Sequence, residues 1–246
     1  MNLRCFETKL IIHSKRYNPW IGGACWDAET CNKMQGSLTF PSDLNDFEGY
    51  SCSEADYAGG GNFNGYPGNL LCNKKIGNTD LTEYNYILVP YCTQDVHLGD
   101  SSSAYADDDG GNGVYHHGGH NTMSVLRWVY KHFPNPSHIV LTGCSAGGSP
   151  LPVVYDLLNS RYNSIFRGGR TVNINTLIDS AVYLTPSYFL TYGLDNWNPW
   201  TILDEVQFKY DKWKRNVQYS TKLWEHVLKR GSRHDRWGFL SHTYVS

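Results

Sequence analysis

The first residues in this chain whose types and spacing suggest chemistry are Gly143, Cys144, Ser145, Ala146, Gly147 and Gly148, a G-x-S-x-G run. Small residues on both sides of a serine let a strand bend sharply into a helix, which thrusts the hydroxyl outward at a helix N-terminus. Backbone N–H groups at such a bend can receive an oxyanion, so the chemistry suggested is nucleophilic attack on an acyl carbon. Cys144 adjoins the serine, but no histidine stands beside it to make a thiolate, and the hydroxyl is the expected nucleophile. A second small-residue cluster, Ile21, Gly22, Gly23, Ala24, Cys25 and Trp26, lies upstream, where a loop supplying further oxyanion amides would be needed.

Other groups carry weaker signals. His116, His117 and His120 form HHGGH, but no Glu follows His116 as in zinc-protease helices, and the glycines predict a solvated loop without a metal. Asp107, Asp108 and Asp109 are consecutive instead of alternating as a calcium loop requires. Asp95 and His97 follow an apolar run and are expected at the ligand-binding edge of a parallel sheet, either lining a pocket or capping locally.

Three blocks together resemble one family. GGACWDAETC (Gly22 to Cys31), VPYCTQDVHLGD (Val89 to Asp100) and LTGCSAGG (Leu141 to Gly148) look like the pectinacetylesterase and Notum family of serine carboxylesterases, in matching order and spacing. The resemblance runs from about Gly22 to Ser246. It implies an α/β-hydrolase-like fold, extracellular ester hydrolysis, Ser145 as nucleophile, and an oxyanion hole from the N–H groups of Gly23, Ala24 and Ala146. The acyl group is expected to be acetyl on a glycan such as pectin. A Notum-like protein deacylase and a non-catalytic glycan-binding pseudoenzyme are the alternatives.

Two departures carry expectations of their own. The family's glycine loop follows an apolar strand, whereas Ile21 follows HSKRYNPW, so residues 1–20 are expected to be atypical and the entering strand missing or replaced. The closing RWGFLSHTYVS resembles the segment before the family's catalytic Asp, which places the triad Asp and His beyond Ser246. The competing set within the chain is Asp179 or Asp195 followed by His242.

These groups need a scaffold. Tyr86 to Cys92 and Ser137 to Gly143 are continuous apolar runs of strand length, as for strands buried on both faces. Between them Met123, Leu126, Tyr130 and Phe133 recur at helical spacing and stop at Pro134, predicting a helix over residues 121–133. Strand, helix, strand implies a parallel pair with a right-handed crossover. A helical stretch from Pro150 to Leu158 and a strand over Val172 to Ile178 extend the pattern. Helices are expected at about 200–212 and 218–230, with their tryptophans mostly in the core. The fold class is α/β, α/β-hydrolase-like, with a mostly parallel central sheet flanked by helices, in a single, incomplete domain over residues 1–246. Residues 36–82, rich in Gly, Asn and Ser, and Ser101 to Gly113 are expected to be surface excursions.

Composition narrows the partners. Lys+Arg 21 against Asp+Glu 23 gives a net charge of −2, so no global field favours nucleic acid. Mean hydropathy is −0.48, and no apolar run approaches the ~20 residues of a membrane span. No signal peptide is visible, since Leu10, Ile11 and Ile12 are too short an apolar run. The expected partner is an acylated polysaccharide or other O-acyl ester bound by a monomer, with no cofactor and an extracellular or secretory location. Seven cysteines leave at least one unpaired within the chain. Cys92 and Cys144 end the two best strands and are expected to bridge if those strands are neighbours. Cys25 with Cys31 and Cys52 with Cys72 are the other candidate pairs, leaving Cys5.

Overall fold

The computed structural model describes residues 8–15, 25, 75–76, 79–80, 84–90, 93–101, 115–164, 172–179, 194–207, 219–231 and 235–240. A five-stranded parallel sheet forms from β1 (Thr8–Lys15), β4 (Tyr84–Pro90), β5 (Pro136–Cys144), β6 (Asn173–Asp179) and β7 (Arg236–Leu240), in the order β4-β1-β5-β6-β7. A short antiparallel hairpin, β2 (Lys75–Ile76) with β3 (Thr79–Asp80), stands apart from it, inside a region expected to lack regular structure.

The predicted strand, helix, strand unit is present as β4, α1 (Gly118–His132) and β5. It is not, however, a pair of adjacent strands. β1 lies between β4 and β5, with Ile11 paired to Tyr86 on one side and Val140 on the other. Of the two alternatives for the entering strand, missing or replaced, the first is therefore corrected: Thr8–Lys15 supplies a strand ahead of the upstream glycine cluster. Its sequence, TKLIIHSK, has an apolar centre and a polar exit, which hid a central strand from a search for continuous apolar runs.

Helix α1 begins before the predicted start. It ends as expected at His132, where Pro134 and Pro136 forbid continuation. Helix α2 (Leu151–Tyr162) enters through Pro150 and Pro152, whose fixed φ suits a first turn. At its far end Asn163 accepts the Val172 N–H at 2.7 Å and donates to the Val172 carbonyl at 3.0 Å, steering the chain into β6. Of the last segments, α5 (Tyr219–Arg230) matches the helix expected at about 218–230, α4 (Trp200–Glu205) is shorter than the one expected at about 200–212, and α3 (Leu194–Trp197) is a further short helix before it.

One core joins these elements. Leu126 and Val129 of α1, Ile139 and Leu141 of β5, Val153, Tyr155 and Leu158 of α2, Ile174 and Ile178 of β6, and Leu203 and Val227 farther on are all buried in it. Burying each such side chain contributes roughly 1.5–3 kcal/mol relative to exposure. Trp197 is fully buried, as the core reading of the tryptophans expects, while Trp224 and Trp237 pack edge to face at 5.4 Å and are half-buried. Trp128 is the exception, 48% exposed on α1 and stacked on His132. No helix among the described residues is long and apolar enough to cross a membrane.

Candidate active site

Strand order locates the site. From β1 the chain goes to β4 on one side, and from β5 it goes through α2 to β6 on the other. Connections that leave neighbouring strands in opposite directions open a crevice at their carboxyl ends, where open parallel sheets bind ligands. The two strands flanking that crevice, β1 and β5, are those that precede the two glycine clusters. Ser14 of β1 and Gly143 of β5 are register partners at this edge.

Beyond Cys144 the chain folds at once into a 3-10 turn, Ser145–Gly147, and after Ser149 and Pro150 into α2. The G-x-S-x-G run thus occupies a strand-to-helix bend. A Cβ at Gly143 would lie 2.2 Å from the Gly147 carbonyl oxygen and 2.6 Å from its carbon. Only glycine lets the bend close on itself this tightly. Ala146 is buried behind it. The Ser145 and Cys144 side chains lie outside the described residues, as do Gly23, Ala24, Cys92, His242 and the cysteines at 5, 31, 52 and 72.

Cys25 is described, fully buried and disulfide-bonded. Its N–H donates to the Gln94 carbonyl at 3.0 Å, and its own carbonyl accepts from Trp197 Nε1 at 2.6 Å. With its N–H committed to Gln94, Cys25 does not offer that amide to a substrate. The reason given for a Cys92–Cys144 bridge fails, because β1 separates the strands that carry them.

Beside this loop, residues 93–101 leave β4 in a strained path. Gln94, Val96 and His97 have φ of 55°, 49° and 61°. A left-handed backbone is costly for a β-branched valine and persists only when surroundings enforce it. Asp95 supplies that enforcement. Fully buried, its carboxylate accepts from Thr93 Oγ1 at 2.5 Å, the His97 N–H at 3.1 Å and the Gly118 N–H at 2.7 Å.

The last of these bonds corrects the reading of HHGGH as a solvated loop. Gly118, Gly119 and His120 open helix α1, whose N-cap residue His117 offers no side-chain bond, so Asp95 satisfies a helix N–H from outside. A Cβ on Gly118 would lie 2.1 Å from Asp95 Oδ1, so glycine is required there. His116 is buried, with Nδ1 2.8 Å from the Thr93 carbonyl. No group of three or more metal-ligating side chains occurs among the described residues.

Burial dominates the electrostatics. Desolvation pushes the Asp95 carboxyl up to about 6 against the pull of its hydrogen bonds, and lowers His97 to about 4. His116 is lowered for the same reason, partly offset by its bond to Thr93. A small, almost wholly apolar cavity is lined by His97, Val89 and Leu126 and, from α2, by Leu151 and Val154.

The remaining sequence candidates are scattered. Asp179 ends β6 as the register partner of Cys144, so its backbone stands beside the serine bend. Asp195 lies on α3. Gln94 and Trp197, which clamp Cys25, carry no local pattern that marks them in the sequence. They could have been found only through the contacts of the upstream loop.

A parallel sheet with a serine bend at its switch point defines an α/β-hydrolase fold. The chain belongs to the pectinacetylesterase family, whose model matches residues 62–198, including the second and third sequence blocks. Among proteins it resembles is the palmitoleoyl-protein carboxylesterase NOTUM of the planarian Schmidtea mediterranea, 27% identical over 150 residues that cover 54% of this chain and 27% of that protein. Among solved structures, the Wnt deacylase Notum from Drosophila superposes with a TM-score of 0.57 at 14% identity, covering 94% of this chain and 60% of that one. That second likeness is one of fold. The chain spans less than two thirds of the length of either relative.

Proposed function

We propose that the protein is a serine carboxylesterase that removes an O-acyl group, acetyl on an extracellular glycan such as pectin, through an acyl-enzyme on Ser145. The observation that carries this reading is the bend itself: a strand, a 3-10 turn and a helix at the switch point, closed so tightly at Gly143 that only glycine fits. In this reading the Ser145 hydroxyl attacks the ester carbonyl and gives its proton to a base. The amides of Gly23, Ala24 and Ala146 receive the oxyanion. The sugar oxygen leaves with a proton, and water then releases the acid and restores the serine. The engaged N–H of Cys25 is consistent with assigning the upstream donors to the residues just before it. Its disulfide supports an oxidising compartment.

The base in this reading is a histidine oriented by a carboxylate. Either it follows Ser246, or His242 serves with Asp179 or Asp195. Among the internal acids, Asp179 is favoured by its register with Cys144. Similarity to a palmitoleoyl-protein carboxylesterase supports a second substrate reading, a protein-bound acyl ester.

A fluorophosphonate probe tests the nucleophile. Prompt labelling that disappears in Ser145→Ala is expected, a loss on the order of 10⁴-fold or more. Folded protein that does not label would favour a glycan-binding pseudoenzyme. In labelled protein, labelling that survives in His242→Ala would exclude the internal base. Acetate release from acetylated pectin, set against hydrolysis of a long-chain acyl-serine peptide, separates the two substrates.

A further inference from the structure

Helix α1 presents two rows of side chains to solvent toward its C-terminal end. Ser124, Trp128 and His132 recur every four residues along one row, and Arg127 and Lys131 along the next, all of them exposed. A lone exposed aromatic is ordinary on a protein surface. This one is held in place. The His132 ring stacks on the Trp128 indole with centroids 4.3 Å apart and planes 27° apart, and Phe133 meets it edge to face at 5.9 Å. His132 is itself fixed, because its Nδ1 donates to the Trp128 carbonyl at 2.8 Å. Trp128 remains 48% exposed, so the indole is ordered without its surface being used up. The charges around it have one sign. The helix carries no Asp or Glu over Gly118–His132, and neither Arg127 nor Lys131 is in a salt bridge among the described residues. Lys131 stands in the last turn, where a cation offsets the helix dipole, but Arg127 lies a turn earlier, beyond that effect.

An ordered aromatic face flanked by cations suits a sugar ring that bears a carboxylate: the ring's C–H groups rest on the indole, and the carboxylate is met by Arg127 or Lys131. We propose that this face of α1 is a secondary binding site for a uronate-containing polysaccharide. An anionic membrane would call for a broader apolar face, whereas here one aromatic stands among hydrogen-bonding groups. Helix α1 starts at Asp95, beyond the carboxyl end of β4, and runs back toward Pro136 at the start of β5. Trp128 therefore lies toward the amino edge of the sheet, away from the serine bend that follows the end of β5. The site holds the polymer without touching the reacting ester. In the esterase reading above, on which only this last step rests, a chain caught there keeps its acylated units at raised local concentration near the crevice.

Titration calorimetry of the whole protein with polygalacturonate, which needs no turnover, tests the site. Kd should rise about 10-fold in Trp128→Ala and by a similar factor in the Arg127→Gln/Lys131→Gln double variant, whose binding should also lose most of its salt dependence. The fully methyl-esterified polymer, which is neutral, should bind the wild type about 10-fold more weakly. The double variant serves if Trp128→Ala does not fold. In every variant the rate on a small acetyl ester should stay within about 2-fold, while kcat/KM on acetylated pectin falls with the affinity. An unchanged Kd in folded Trp128→Ala, or neutral polymer bound as tightly as the anionic one, would overturn the site. So would binding of phosphatidylserine vesicles in place of polygalacturonate. If the wild type binds polygalacturonate through Trp128 yet hydrolyses no ester, the esterase reading fails and the binding site stands.

Discussion

Two buried polar clusters sit on opposite flanks of the sheet, and they are built differently. Around Asp95, a carboxylate without a cationic partner among the described residues holds two groups of a left-handed loop, Thr93 and His97, and the start of α1. Around β6, Asp235 accepts from Tyr155 and from the Ile174 N–H at 2.9 Å, and Asp156 pairs with Arg230 at 2.8 Å. The second cluster ties α2, α5, β6 and β7 to one another, work that any α/β core requires. The first holds backbone in conformations that cost energy, and it does so beside Cys25. Strain that the surroundings must over-determine is what preorganised sites contain. The comparison assigns structural duty to the Asp235 side and site-shaping duty to the Asp95 side.

The sharpest way to break that division lies at the bend. Gly143→Ala places a methyl against the Gly147 backbone, so it should cost at least ~3 kcal/mol in urea unfolding or open the turn, and in either case abolish probe labelling. A variant that labels normally would show that the bend tolerates widening.

Next in size is a pH effect. Asp95 is raised to about 6, so its stability contribution is greatest below the usual carboxylate range and is lost as pH rises through 6. His97 is lowered to about 4, so its contribution is present above its ordinary value near 6.5 and is lost as pH falls toward 4. The two oppose each other over one window. Relative to wild type, Asp95→Asn should therefore lose stability as pH drops from about 6.5 to 4, by up to about 3 kcal/mol, and His97→Asn should gain it over the same range. Urea midpoints of the three proteins across that range check the signs, and parallel curves would remove the opposition.

Smallest is Tyr155→Phe on the other flank. Asp235 keeps its bond from the Ile174 N–H, so a loss of about 1 kcal/mol is expected with no change in labelling rate. A fall in labelling would show that the two flanks are coupled.

What the sequence made legible follows the same line. Strands β4 and β5 announced themselves by continuous apolar runs, and α1 by its spacing, because burial on both faces or along one stripe leaves a periodic record. The serine bend was legible because its glycines are a local steric need. β1 was not, since only its centre is apolar and its importance comes from partners distant in sequence. HHGGH misled because the carboxylate that makes a helix of it comes from Asp95, across a loop. The Trp197 contact with Cys25 was likewise invisible, as no local rule links an indole near one end of the chain to a carbonyl near the other.

Strand β1 is interior to the sheet, paired on both sides, yet it precedes both partners in the sequence, and this constrains how the protein is made. Its two partners among the described strands begin at Tyr84 and Pro136, so both are synthesised well after Thr8–Lys15. For that interval an apolar ribbon with two open edges must be kept from sticking to other chains. Loss of a late partner strand would therefore be felt as insoluble product before it was felt as a slower enzyme.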